Sequence, residues 1–217
     1  EQDATLLDGF RMLGLLMWCG RIADIQLFDF YGPLKFFRRR AATGGKLDSP
    51  LGLWPCVIDD LLAWIRQAQL NKPRACCAHT ENDTTCVMYT DASNRGYGAL
   101  IVTNHKLHIC CGTWWDTDAD LHINVKEAKA VSIGLSRLLG IVVDPGVHLL
   151  IRVDNTTVCH IFEKGYSKSH ALNAWRSEMA TLMGRFKTVR MEWISTIKNL
   201  ADAPSRANIT MTASTTF

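Results

Sequence analysis

Between Cys86 and Trp115 three β-rich runs follow one another with only short breaks: CVMYTDAS, YGALIVT and KLHICCGTWW. Asn94-Arg95-Gly96 between the first two is tight-turn chemistry, so the stretch predicts a three-strand meander. Such a sheet has faces to cover, and the residues downstream supply the cover. Residues 125–139, VKEAKAVSIGLSRLL, carry apolar positions at helical spacing, with Asn124 expected as the N-cap. GVHLLIRVDN is nearly all apolar, as a strand buried on both faces would be. A helix over 156–163 is closed by Gly165, a second runs over 171–186, TVRMEWIS is a last strand, and NLADAPSR opens a short helix. The order βββαβααβα predicts an α/β fold with a mixed five-stranded sheet flanked by helices. TMTASTTF is expected to fray, which leaves 207–217 as a flexible tail.

Ahead of this block, residues 1–75 predict a small helical region. LLDGFRMLGLLMWCGRIADI and DDLLAWIRQAQL have helical spacing, a basic run Arg38-Arg39-Arg40 sits between them, and ATGGKLDSPLG is loop chemistry. NKPRACCAHTENDTT reads as a polar connector. Hydrophobic residues make up 47% and charged residues 21%, as in a soluble globular chain, and the net charge of +3 does not by itself mark a nucleic-acid binder. No apolar run reaches the roughly 18–20 residues of a membrane span, and no secretory signal is visible. Eight cysteines without a C-x-x-C pair argue against a zinc ribbon, and without a secretory signal against a disulfide framework. These features predict an intracellular protein, cytoplasmic or nuclear. The opening Glu1 is what a fragment or a processed product would show.

One stretch, DTDADLHINVKE over 116–127, has the acid spacing of a calcium loop, with Asp116, Asp118, Asp120, Asn124 and Glu127 in register. Leu121 stands where the sharp turn needs glycine, and the preceding residues read as strand rather than helix. A solvated loop is the better reading of the three aspartates. Glu127 fits another set of acids. Asp91 ends the first strand, Asp154 ends the apolar strand, Glu127 lies in the first turn of one helix and Asp202 in the first turn of another. Four carboxylates can meet at one point only if cations offset their repulsion, and a pair of divalent ions would balance them.

The blocks YTDASNRGYGALIV, HINVKEAKAV, IRVDNTTV and NLADAPSR resemble, in order, the four signature blocks of the ribonuclease H domain of reverse transcriptases. The resemblance covers 86–206. VDNTTV, KGYSKSHALNAW and NLADAPSR are most similar to the tyrosine-recombinase retrotransposons, the DIRS, Ngaro and VIPER-like group. The resemblance implies an endonuclease that hydrolyses the RNA strand of RNA–DNA hybrids by two-metal-ion catalysis during retrotransposon reverse transcription. Asp91, Glu127, Asp154 and Asp202 would be both catalytic residues and ligands of two Mg2+ ions, with Mn2+ able to substitute. Ser93, Asn94, Asn124 and Asn155 would contact substrate, Asn124 at the RNA 2′-hydroxyl. The implied partners are RNA–DNA hybrid and a polymerase domain in the same polyprotein, and residues 1–75 would be a thumb or connection remnant. Two departures stand out. The loop before Asp202, MEWISTIKNLAD, lacks the histidine many relatives carry, and no basic helical protrusion precedes ALNAW. An inactive domain of the same fold that tethers nucleic acid without cutting it is the alternative, and the intact acid set argues against it.

Overall fold

The computed structural model of the protein describes residues 3–23, 25–70, 85–103, 106–142, 146–207 and 211–216. The chain divides into two compact units, 1–76 and 77–217. All of the expected connector but Thr85 lies outside the described residues, as do Cys76 and Cys77.

The first unit is helical. Helix α1 (Leu6–Ile22) opens on a capping box in which the Thr5 hydroxyl accepts from the Asp8 N–H and the Asp8 carboxylate accepts from the Thr5 N–H. A 3-10 turn over Leu27–Phe30 leads into α2 (Tyr31–Ala42), and α3 spans Pro55–Gln69. Proline at the first position of α3 starts that helix four residues before the expected Asp59, because its missing N–H is not needed there. Leu6, Leu13, Phe36, Phe37 and Leu61 are buried, and the Trp64 ring stacks on Phe30 at 4.9 Å. The arginines of α2 lie along aromatic surface: Arg38 donates to the Tyr31 hydroxyl at 3.2 Å, and the Arg40 guanidinium sits 5.4 Å from the Phe36 ring centre.

The second unit is an α/β domain. Strands β1 (Thr85–Ala92), β2 (Gly96–Val102) and β3 (Lys106–Thr113) form the expected antiparallel meander. Strand β4 (His148–Val153) lies parallel to β1, and β5 (Thr188–Trp193) parallel to β4. Helices α4 (Ile123–Leu139), α5 (Thr156–Lys164), α6 (His170–Met183) and α7 (Asp202–Ser205) appear in the expected order. The sheet has six strands rather than five, in the order β5-β4-β1-β2-β3-β6. Residues Met211–Thr216, expected as a flexible tail, form β6 and pair antiparallel with β3, Cys111 opposite Met211 through Lys106 opposite Thr216. The physical reason is the open ladder of β3, whose free N–H and C=O groups accept a threonine-rich segment of good β propensity without needing apolar side chains. Asn124 is not the N-cap of α4. The helix begins two residues earlier, and the Nδ1 of His122 accepts the Asn124 N–H at 3.2 Å.

Helix α4 buries Ala128, Val131, Leu135 and Leu138 against Met88, Ile101 and Ile151 of the sheet and Trp175 and Met179 of α6. The valine, leucine, isoleucine and methionine side chains among them each contribute about 1.5–3 kcal/mol on leaving water. Gly134 lets α4 approach closely, since a Cβ there would come within 2.8 Å of the Met88 sulfur and 3.2 Å of Ala99. Gly98, the next residue before Ala99, faces the other side of the sheet, where α7 packs. A Cβ at Gly98 would meet the Ala201 carbonyl oxygen and the Ser205 nitrogen at 2.6 Å, both rigid backbone atoms. Gly98→Ala is therefore expected to push α7 off the sheet and lower stability by about 1–3 kcal/mol. Thermal melting would show this as a fall of several degrees, and an unchanged melting temperature would mean that α7 is not seated as described.

Candidate active site

Strands β1 and β4 run parallel, so their carboxyl ends open on the same edge of the sheet. Asp91 is the penultimate residue of β1, paired in register with Gly98, and Asp154 follows the last residue of β4. Glu127 is the fifth residue of α4 and turns toward the same edge. Ligand atoms of Asp91, Glu127 and Asp154 all lie within 4.8 Å of one another. They line a cleft of about 490 Å3 together with Asp202, the first residue of α7, and with Ser93 and Asn94 of the β1–β2 turn. Asp202 stands apart from the group of three. Its Oδ1 accepts from Arg206 Nη2 at 2.6 Å and Nε at 3.2 Å.

The electrostatics follow from crowding acids in a dry place. Burial, and then the charges of Asp91 and Asp154, push the Glu127 carboxyl up to about 9, against the pull of a backbone hydrogen bond from Ala92. Asp91 is pushed up to about 6, first by burial and then by Asp154 and Asp202, while the Ser205 hydroxyl pulls the other way. Among the described residues, Glu127 Oε2 and Asp154 Oδ1 are buried and have no hydrogen-bond partner. Buried carboxylate oxygens without a donor are costly unless a cation takes them. The donor set is entirely hard oxygen, the type that suits Mg2+ or Mn2+ rather than zinc or copper. The residues present therefore fit a divalent-ion site.

Ser205 and Lys126 support the site without being singled out by the sequence, beside the expected Ser93, Asn124 and Asn155. Ser205 is fully buried, and its hydroxyl donates to Asp91 Oδ2 while lying 2.9 Å from the Asp202 carbonyl oxygen. Ser93 donates to the Ser205 carbonyl at 2.8 Å and accepts the Gly96 N–H at 3.1 Å, which ties the β1–β2 turn to α7. The buried ammonium of Lys126 donates to the carbonyls of Ala119 at 2.7 Å and Asn94 at 3.4 Å, bridging two loops beside the cleft. The Trp193 indole N–H donates to the Asp154 carbonyl at 3.0 Å while its ring stays more than half exposed. Asn155 caps α5 by accepting the Val158 N–H at 3.1 Å and donates to Asn124 Oδ1 at 3.0 Å, and Asn124 donates to the Thr157 hydroxyl at 3.3 Å. Ser205 and Arg206 carried a legible signal, since they follow Asp202 by three and four residues on one helix turn. Lys126 and Trp193 carried none, because their acceptors are backbone carbonyls of distant loops.

The calcium-like stretch separates into two environments. Asp116–Asp118 forms a 3-10 turn, and Asp118 pairs with Lys129, while Glu127 is buried in the acid cluster. No disulfide joins the described cysteines, and Cys86, Cys110, Cys111 and Cys159 are buried. No described helix is long and apolar enough to cross a membrane.

No curated protein matches the chain. Among solved structures it is similar to the N-terminal ribonuclease H domain of rv2228c from Mycobacterium tuberculosis, at 15% identity and a TM-score of 0.40 over 56% of this chain and 90% of that one. It is also similar to LC11-RNase H1, solved in complex with RNA/DNA hybrid, at 19% identity and a TM-score of 0.43 over 56% and 92%. A third is the RNase H1 of the halophilic archaeon Halobacterium salinarum, at 13% identity and 0.38 over 56% and 92%. The family described as reverse transcriptase-like matches residues 82–203, more than half of the 217 residues and a span that runs from β1 to the start of α7 and holds all four acids. On that match the chain belongs to the reverse transcriptase-like family.

Proposed function

We propose that the 77–217 unit is a metal-dependent endonuclease that hydrolyses the RNA strand of RNA–DNA hybrids. The observation that carries the reading is the acid cluster, in which Asp91, Glu127 and Asp154 converge on an open cleft with two carboxylate oxygens buried and unpaired. Asp91, Glu127, Asp154 and Asp202 would hold two Mg2+ ions. Mg2+ bound there would lower the pKa of an attacking water and offset charge on the leaving oxygen. The chain's own groups do the positioning. The Ser205 hydroxyl fixes the rotation of the Asp91 carboxylate, and Ser93 and Lys126 brace the turn that carries Asn94. The Asn124–Asn155 amide pair offers donors and acceptors of the kind that read a 2′-hydroxyl and so tell RNA from DNA. The family supports a reverse transcriptase setting, with a polymerase domain in the same polyprotein; the helix content and position of residues 1–75 suit a thumb or connection remnant, and the motifs VDNTTV, KGYSKSHALNAW and NLADAPSR favour the DIRS, Ngaro and VIPER-like group.

Cleavage is expected to need Mg2+ or Mn2+, with Ca2+ supporting hybrid binding but at least about a hundredfold less cleavage, because the larger ion holds its ligands at longer and looser distances. A cleavage time course in each ion, with hybrid binding measured alongside by anisotropy, tests this. Equal rates in Ca2+ and Mg2+ would rule the two-metal reading out.

A further inference from the structure

The fourth acid of the cleft is not idle. Asp202 Oδ1 receives two N–H donors from one guanidinium, at 2.6 Å and 3.2 Å, and Arg206 lines the same cleft as the other three carboxylates. The Arg206 side chain is 65% exposed and that of Asp202 31%, so the guanidinium reaches in from solvent rather than being packed in place. Asp202 is also close enough to Asp91 for its charge to help raise the Asp91 pKa. The arginine thus supplies positive charge where a divalent ion would otherwise supply it. An ion that takes Oδ1 must displace at least part of this fork, and one that takes Oδ2 withdraws charge from the carboxylate that holds it.

We propose, resting on the hybrid-nuclease reading for the identity of the substrate, that Asp202 and Arg206 form an exchangeable pair. While the cleft holds no second divalent ion, Arg206 occupies Asp202. When that ion takes the carboxylate, the guanidinium is released into the cleft and grips a non-bridging oxygen of the substrate phosphodiester. Guanidinium suits both roles, since its planar fork matches carboxylate and phosphate alike and it stays charged throughout. No bond to the substrate forms or breaks in this step. Arg206 is then a substrate-positioning residue in a chain whose loop before Asp202 has no histidine.

The test uses the full chain with Arg206→Gln and Arg206→Lys. Mg2+ alone is titrated calorimetrically, without nucleic acid, and hybrid binding is measured by anisotropy in Ca2+ at several salt concentrations. The exchange predicts opposite signs for Arg206→Gln: Mg2+ binds about two- to fivefold tighter, the size such a charge pair can hold back, while hybrid binds several-fold weaker with a salt slope smaller by about one. Arg206→Lys, which keeps the charge but loses the fork, should fall between. The side chain is exposed, so both variants should melt within a few degrees of wild type. A purely structural ion pair would leave hybrid affinity and its salt slope unchanged when broken. Unchanged or weaker Mg2+ binding in Arg206→Gln would overturn the proposal, as would unchanged hybrid affinity. The two readings fail separately. Tighter Mg2+ binding in a protein that cuts no hybrid would support the exchange and sink the nuclease, whereas unchanged Mg2+ binding beside normal hybrid cleavage would do the reverse.

Discussion

Asp91→Asn is expected to reduce hybrid cleavage by about a thousandfold or more, roughly 4 kcal/mol of transition-state stabilisation. Asn is nearly the same size and its carbonyl oxygen can still accept from the Ser205 hydroxyl, so the fold should survive. What it removes is the charge of an acid within reach of both Glu127 and Asp154, pushed up to about 6 by burial and by its acidic neighbours. In metal-free protein the substitution relieves that crowding, so the melting temperature should hold or rise. The extra stability gained from added Mg2+ should shrink, because it scales with affinity for the ion. Thermal melts with and without Mg2+, beside a cleavage time course free of host ribonuclease, separate these effects. A folded Asp91→Asn protein that still gains full stability from Mg2+ would mean that the ion binds elsewhere.

Glu127→Gln should abolish cleavage to a similar degree, whereas Asp116→Ala and Asp118→Ala should leave it nearly intact. All three residues belong to the stretch with calcium-loop spacing, but only Glu127 reaches the buried cluster. Asp118→Ala loses an ion pair with a part-exposed Lys129, an effect of about 1 kcal/mol or less on stability. Glu127 also makes metal-free stability depend on pH. Its carboxyl is raised from 4.5 to about 9 in the folded chain, first by burial. Between those values the folded state keeps a proton that the unfolded state releases, so stability falls as pH rises through the window. Melts in EDTA across pH 5–9 should slope downward for wild type and less steeply for Glu127→Gln. The same slope in both would show that Glu127 is not the group responsible.

The parts of this fold that were readable share a cause: their side chains report burial directly. The strand runs around Met88, Ile101 and Ile151 and the stripe Ala128, Val131, Leu135 and Leu138 show their periods because one face of each meets the core. The acids were readable because a carboxylate at a strand end or a helix start is out of place unless something uses it. Strand β6 was not readable, since MTASTT pairs through its backbone and carries no apolar alternation. The cap of α4 was misplaced because histidine, a less common cap than asparagine, takes the role at position 122. The sequence also put Asp202 on the same footing as the other three acids. The geometry separates it, in the fork that Arg206 closes on its carboxylate one helical turn later.

The most direct measurement is cleavage of a labelled RNA–DNA hybrid, run beside DNA duplex and RNA duplex of the same sequence, in Mg2+ and in EDTA, with wild-type and Asp91→Asn protein. The proposed nuclease activity predicts cuts in the RNA strand of the hybrid alone, present in Mg2+, absent in EDTA and lost in the variant. Hybrid that is bound but left uncut by wild type in Mg2+, or cut as fast by Asp91→Asn as by wild type, would contradict it.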